Sequence, residues 1–352
     1  MIAPARVLAF DILLRVESGA WASDLLLAHS AGLDSRDAGL AAEIVFGVLR
    51  YRAQLDFLIA HYAGRSVKLD PEVRIALRMA IYQLRYLERI PPHAAVSDAV
   101  ELVKRARKRS ATGLVNALLR QVDRDAVEWP SREVDLSCPE WLLARWEAQF
   151  GPETAAGIAR AALQPPEKYE RAGRMQDIGA QSIVPLLGLE PGMRLLDLCA
   201  APGNKTAQAL EFGIEAIACD IHFHRLVQMK ELGARLVVLD ATQPLPFAGQ
   251  FDRILVDAPC SGTGTLGRNP EAKWRLKPED LPGLQQRQMA ILKQAKAVLA
   301  PGGVLVYSTC SLEPEENGQV VSGETVCRTF ERLPGRDPGD GFYAAVIKLE
   351  YP

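Results

Sequence analysis

No Cys-x-x-Cys pair occurs among the six cysteines of this 352-residue chain: Cys138, Cys199, Cys219, Cys260, Cys310 and Cys327. Scattered singly, they offer neither a disulfide framework nor the ligand spacing of a zinc site, so any that matter act as free thiols and no metal is expected. No apolar run approaches the 18 or more residues of a membrane span. The N-terminal MIAPARVLAFDILLRV is broken by Arg6, Asp11 and Arg15 where a secretory signal needs continuity, so a cytoplasmic protein without membrane partners is expected. The GxGxxG of dinucleotide sites and the GxxxxGK[ST] of phosphate loops are also missing, which argues against a nicotinamide cofactor or a nucleoside triphosphate. There is no internal repeat or low-complexity tract, and a net charge of −2 gives no global sign of a nucleic-acid partner.

What is present is the composition of an ordinary folded protein, 48% hydrophobic and 24% charged, in a chain long enough for two or three domains. The charge is uneven: residues 1–130 hold 18 Lys and Arg against 15 Asp and Glu, and the remainder 23 against 28. Residues 1–128 carry apolar positions at helical spacing in AGLAAEIVFGVLRYRAQLDFLIAHY, PEVRIALRMAIYQLRYL, HAAVSDAVELVKRAR and GLVNALLRQV, which predicts an all-α bundle. Asp70-Pro71 marks one helix start, and Ser97 and Ser110 are placed at run boundaries. The run Lys104, Arg105, Arg107, Lys108 and Arg109 has two readings, a track for an RNA phosphate backbone and a solvated helix end.

Residues 129–175 read as a helical connector, with a boundary at Gln164-Pro165-Pro166 because proline cannot continue a helix. From Gln176 to the end, strands alternate with helices as in a mostly parallel, doubly wound sheet. The expected strands are 194–198, 216–219, 235–239, 253–256 and 304–308, with a closing antiparallel strand in GFYAAVIKLE, 341–350. The pivot is LLDLCAAPGNKTAQ, Leu195 to Gln208: an unalternating apolar strand, a Pro-Gly break and a helix. In such a sheet the crevice beyond the strand's carboxyl end takes a nucleotide-like ligand, and Ala200, Ala201 and Gly203 let backbone approach it. Asp220 closes the second strand, where a carboxylate accepts ribose hydroxyls or caps a helix.

DLCAAPGNKT, Cys199-Ala200-Ala201-Pro202-Gly203-Asn204-Lys205 included, closely resembles the first motif of the S-adenosylmethionine-dependent RNA cytosine-5 methyltransferases. The usual second glycine is replaced by Asn204, a residue tolerant of positive φ. The N-terminal helix order, with SRDAGLAAEIVFGVLRYRAQLD, resembles the NusB-like RNA-binding domain of one bacterial branch, the Sun (Fmu) family of small-subunit ribosomal RNA methyltransferases. The resemblance implies an α plus α/β protein: a NusB-like bundle and a Rossmann-like catalytic domain that binds S-adenosylmethionine. It implies ribosomal RNA as partner, and a monomer is expected. It also implies that Asp240 contacts the adenine, although a turn aspartate is the competing reading. Family members usually carry a small α+β subdomain before the catalytic sheet, whereas this chain passes from Pro166 to Gln176 in about ten residues.

Cytosine C5 is a poor nucleophile. Methylating it requires a thiolate to add at C6, and the saturated adduct must then lose the C5 proton before the sulfur departs. Two segments offer thiols, DAPCSGTG from Asp257 and YSTCSLEPEEN from Tyr307. Each alone competes with the reading of cysteine as a small core hydrophobe. Together with their flanks they are similar to the family's fourth and sixth motifs, which implies that Cys310 attacks, Cys260 assists release and Asp257 hydrogen-bonds the cytosine N3 or amine. Lys205 and the cations from Arg268 to Arg275 are candidates for holding substrate phosphate or for solvated surface. Cys199 is expected to line the cofactor loop without reacting. The rival functions are methylation of tRNA or another RNA, methylation of protein or a small molecule, and a non-catalytic NusB-like RNA-binding factor.

Overall fold

A computed structural model describes residues 2–64 and 68–348. They group into two compact units, Met1–Gln164 with Gly267–Trp274, and Pro165–Leu266 with Arg275–Pro352.

The first unit is helical: α1 (Pro4–Glu17), α2 (Ala22–His29), α3 (Ser35–Arg50), α4 (Arg52–Tyr62), α5 (Pro71–Tyr86), α6 (Pro92–Arg105), α7 (Thr112–Leu119), α8 (Arg132–Asp135), α9 (Glu140–Phe150) and α10 (Pro152–Ala161). Proline opens α1, α5, α6 and α10, where its missing N–H costs no helical bond and its φ is already set. In α3, Ala41, Ile44, Val45 and Val48 recur on one buried face, and the Asp34 side chain caps the helix by accepting from Asp37 N at 2.8 Å. Helix α5 is buried nearly all round and forms the centre of the bundle. Its Arg78 is buried but saturated, donating to Asp56 and Glu17 at 2.7 Å. Ser97 does not start a helix. It lies within α6, which Pro92 opens five residues earlier.

The connector expected over 129–175 is not a separate piece. Leu142, Leu143 and Trp146 of α9 are buried, and the segment before it bonds to α4: Ala53 N donates to Ser137 Oγ at 3.0 Å and Gln54 Nε2 to Asp135 O at 2.5 Å. The helical unit therefore runs to Gln164, the Pro165-Pro166 break marks its end, and 165–175 belong to the second unit. The helical unit also takes Gly267–Trp274. Trp274 Nε1 donates to Leu49 O, Arg50 donates twice to Gly267 O, and the fully buried Lys273 donates to Arg50 O at 3.0 Å. Burial lowers the Lys273 pKa to about 8. Lys273 is thus a core lysine, not an outward cation for RNA.

In chain order the remaining elements are β1 (Glu170–Arg171), β2 (Arg174–Met175), α11 (Ile178–Gln181), β3 (Arg194–Leu198), α12 (Asn204–Leu210), β4 (Glu215–Asp220), α13 (Phe223–Leu226), β5 (Arg235–Val238), β6 (Phe251–Asp257), α14 (Ala272–Arg275), α15 (Leu281–Ala297), β7 (Leu299–Thr309), β8 (Val326–Arg332) and β9 (Phe342–Lys348). Seven strands form one sheet in the order β5-β4-β3-β6-β7-β9-β8. The first five are parallel, and β9 and β8 are antiparallel to their neighbours. The pleat divides consecutive residues between two cores. Leu196, Leu198, Ile254, Val256, Leu305 and Tyr307 pack on one side; Leu195, Leu255, Val304 and Val306 pack on the other. Both faces are covered, so the strands read as unbroken apolar runs. The expected closing strand is β9, with Leu349 and Glu350 outside the described residues. Between Pro166 and Gln176 the chain forms only the β1–β2 hairpin.

Candidate active site

Strand order reverses at β3, which has β4 on one side and β6 on the other. The crevice beyond the carboxyl ends at such a point is the ligand site of doubly wound sheets. The β3–α12 loop is built for close approach. Cys199 takes φ 62° and Gly203 φ 97°, and a Cβ on Gly203 would lie 2.7 Å from Leu232 and 2.8 Å from Met229. Between them the Ala201–Pro202 peptide is cis. Asn204 needs no tolerance of positive φ: it occupies the first residue of α12, and its Nδ2 donates to Met175 O at 3.1 Å. What the side chain adds over glycine at this position is that hydrogen bond.

Asp220 ends β4, with Oδ1 accepting from His222 N at 2.8 Å and Oδ2 from Ala201 N at 3.3 Å. A carboxylate has about four lone-pair sites, so capacity remains on both oxygens for a diol. Beside it Ile221 and Phe223 leave apolar surface exposed. A carboxylate next to apolar surface and a small-residue loop matches the chemistry of a nucleoside, so these residues fit the adenosyl part of S-adenosylmethionine. Asp240 lies two residues past β5, and its Oδ1 accepts from Thr242 N and Oγ1, which holds its carboxyl below the usual range. It closes a turn, and Gln243 N donates to its carbonyl at 3.0 Å. Cys199 is half-buried, and loss of solvation, followed by Asp220 and Asp257, pushes its thiol far up. Burial also pushes Cys219 up to about 12. Neither is a thiolate source.

Cys260 and Cys310 follow β6 and β7, and their Sγ atoms are 3.4 Å apart. Both are half-buried. The hydrogen bond to Cys310, then burial, push the Cys260 thiol well above the ordinary cysteine value. Asp257, at the end of β6, accepts from Lys205 Nζ at 2.6 Å and from Ser308 Oγ at 2.9 Å. Burial opposes the charge on Lys205, but Asp257 outweighs it and, with Cys310, holds the ammonium above its ordinary value. Lys205 is therefore committed to the carboxylate, not to substrate phosphate.

Behind this front lie residues to which the motifs assign no role. Asp197, one position before the loop, is fully buried; Thr206 Oγ1 donates to its Oδ2 at 2.6 Å, while Oδ1 has no hydrogen-bond partner. Burial raises its pKa to about 7. Glu316 and Asn317 fold under the two cysteine loops. An acid inside an apolar strand signals the first; only the fold reveals the second pair.

The cationic run is less open than its sequence suggests. Lys104 pairs with Glu101 at 2.6 Å, Arg105 with Asp11 through two bonds, and Lys108 with Asp70 at 3.0 Å. Among the described residues, Arg107 and Arg109 make no side-chain ion pair. Beside the run a groove of about 760 Å³ between α6 and α7 is lined by His93, Ser97, Lys104, Asn116 and Arg120.

Two family models match this chain: the 16S rRNA methyltransferase RsmB/F model over residues 184–331 and the NusB family over residues 3–124. A probable ribosomal RNA small subunit methyltransferase B of Bacillus subtilis (strain 168) is 31% identical, with 90% of this chain and 87% of that protein covered. The ribosomal RNA small subunit methyltransferase B of Escherichia coli O1:K1 / APEC is 33% identical over 412 positions, with 95% of this chain and 96% of that protein covered. The crystal structure of PH0851 superposes with a TM-score of 0.78 over 99% of both chains at 20% identity. A methyltransferase homolog from Pyrococcus horikoshii gives 0.51 at 22% identity, over 62% of this chain and 97% of that one. At these identities the structures speak to fold alone, a helical unit and a Rossmann-like methyltransferase sheet. The sequence relatives go further: the chain belongs to the S-adenosylmethionine-dependent ribosomal RNA small subunit methyltransferase B family.

Proposed function

We propose that this protein methylates C5 of a cytosine in small-subunit ribosomal RNA, with Cys310 as nucleophile and Cys260 as the group that assists release. The observation that carries this reading is the thiol pair, 3.4 Å apart at the ends of adjacent parallel strands. A methyltransferase acting on an amine or hydroxyl has no use for two thiols. S-adenosylmethionine, held by the Cys199–Lys205 loop, Asp220 and the turn at Asp240, supplies an electrophilic methyl group. Cys310 sulfur bonds to C6 of the cytosine, and the displaced electron pair makes C5 an enamine-like carbon. Asp257, oriented by Lys205 and Ser308, accepts a hydrogen bond from the cytosine amine and offsets charge on the ring. Release reverses the addition: Cys260, as the base, takes the C5 proton on its sulfur, the C–H electron pair re-forms the C5–C6 double bond, and Cys310 departs as a thiolate with its electron pair. The proton that Cys260 has gained can then pass to the departing Cys310 sulfur, 3.4 Å away.

The NusB-like unit supplies RNA contacts through Arg107, Arg109 and the α6–α7 groove, and the catalytic unit takes an unpaired or extruded base, because A-form duplex hides cytosine C5 in a deep, narrow groove. Incubating the protein and S-adenosylmethionine with unmodified 16S rRNA, and with tRNA in parallel, followed by nucleoside mass spectrometry, tests the reading. 5-Methylcytosine in the 16S sample is expected. Methylation at another base, or of tRNA only, contradicts it.

A further inference from the structure

The two cysteine loops share one buried carboxylate. Ser261 follows Cys260 and Ser311 follows Cys310, and their hydroxyls are 3.0 Å apart. Both donate to Glu316 Oε2. Glu316 Oε1 accepts from Ser261 N at 2.8 Å and from Gln288 Nε2 at 2.9 Å, and that same amide nitrogen donates to Pro259 O at 3.0 Å. Glu316 is 0% exposed and, among the described residues, has no cationic partner. Its charge is met entirely by neutral donors, at least one from each cysteine loop and one from α15. The turn that carries it is anchored by Tyr307 OH donating to Glu316 O at 2.6 Å, and Asn317 adds a second tie, its Nδ2 donating to Ser311 O at 2.9 Å.

A buried carboxylate is costly to keep without a cation, and here its four acceptor sites meet donors on segments far apart in sequence. We propose that Glu316 is a positioning residue that holds Cys260 and Cys310 in register, so that one thiol can hand its proton to the other. The inference rests on the reading of the thiol pair as the methylation machinery, since only a two-thiol mechanism needs the loops held to a fraction of an ångström. Misplacement of reacting groups by about 1 Å costs on the order of 10²-fold in rate.

The test uses the full-length protein with Glu316→Gln, which keeps the volume but removes the charge that gathers the donors, and with Ser311→Ala, which keeps the carboxylate but removes the Cys310-loop hydroxyl that donates to it, together with that hydroxyl's contacts to Glu313 N, Ser261 and Thr263. Two readouts are taken. Dibromobimane bridges thiols only a few ångströms apart, and bridging of Cys260 to Cys310, located by peptide mass spectrometry, reports the pair without any substrate. Turnover on 16S rRNA, split into kcat and KM for S-adenosylmethionine, reports the chemistry. Both variants are expected to bridge several-fold more slowly, and Glu316→Gln to lose roughly tenfold or more in kcat with KM within about twofold, as for a displaced reacting group. Trapped RNA–protein adduct should rise, as it should when Cys260 itself is removed. Wild-type bridging in both folded variants overturns the clamp, and slowed bridging with unchanged kcat overturns its role in positioning. If wild-type protein makes no 5-methylcytosine at all, the function reading fails, while the bridging rates still decide the clamp.

Discussion

Asp197 shows how one buried acid sets a pH dependence. Its carboxyl has an ordinary value near 3.8 and is raised to about 7 in the fold, chiefly by burial; Asp257 adds to the rise while Thr206 and Lys205 oppose it. The folded state then holds a proton that the unfolded chain has released, so stability falls as pH rises from about 4 to about 7 and levels off above. At about 1.4 kcal/mol per pH unit the loss reaches the order of 4 kcal/mol. Asp197→Asn keeps an acceptor for Thr206 and removes the titration. The difference in unfolding free energy between the variant and wild type, measured by denaturant titration from pH 4 to 8, is expected to move in the variant's favour as pH rises. Parallel curves would show that Asp197 does not titrate in this range. Glu316 makes the complementary point: identical carboxylates differ in role through their donors, and Glu315, its neighbour in Pro314-Glu315-Glu316-Asn317, cannot be told from it in the sequence.

Among the elements, the carboxyl ends of the parallel strands were the most legible. Strand β3 coincides with its expected bounds, and β4, β6 and β7 contain theirs, because a strand covered on both faces must be apolar throughout. Strand β8 left no such trace. At the sheet edge, Val-Cys-Arg-Thr-Phe-Glu-Arg has an exposed face, and Arg328 and Glu331 suit a strand whose edge meets water. The cationic segment at the end of α6 was legible as charge but not as available charge: Glu101 is a local i,i+3 partner of Lys104, but Asp11 and Asp70 come from distant parts of the chain. This changes its expected effect. Replacing Arg107 and Arg109 by Ser should reduce the slope of log affinity for RNA against log salt by about 1 to 2, since each single-strand phosphate contact contributes about 0.7 and each duplex contact about 0.9. Replacing Lys104, Arg105 and Lys108 should change it less. Binding titrations between low and moderate salt check both statements, and equal effects from the two sets would contradict the assignment of Arg107 and Arg109.

For the molecule as a whole, the two-part architecture follows from the switch in period from 3.6 to unalternating apolar runs near Gln176. The passage of Gly267–Trp274 into the helical unit does not, because local patterns describe contiguous sequence and this segment leaves and returns within about eight residues. The alignment to the Escherichia coli relative spans 412 positions against a chain of 352, so the relative carries internal segments that this chain lacks. At its strand ends this chain brings together the small-residue loop, Asp220, Asp257 with Lys205, and the paired thiols. In the proposed mechanism the roles of the two thiols separate in time, since Cys310 makes the bond to C6 and Cys260 serves only when that bond breaks. The most direct measurement is denaturing electrophoresis of protein incubated with labelled 16S rRNA and S-adenosylmethionine, comparing wild type, Cys310→Ala, Cys260→Ala and the double substitution. A covalent RNA–protein band is expected to accumulate with Cys260→Ala and to be absent from Cys310→Ala and from the double variant, neither of which should methylate. A band that appears with Cys310→Ala and vanishes with Cys260→Ala would exchange the two roles, and unchanged turnover in both single variants would contradict the thiol mechanism itself.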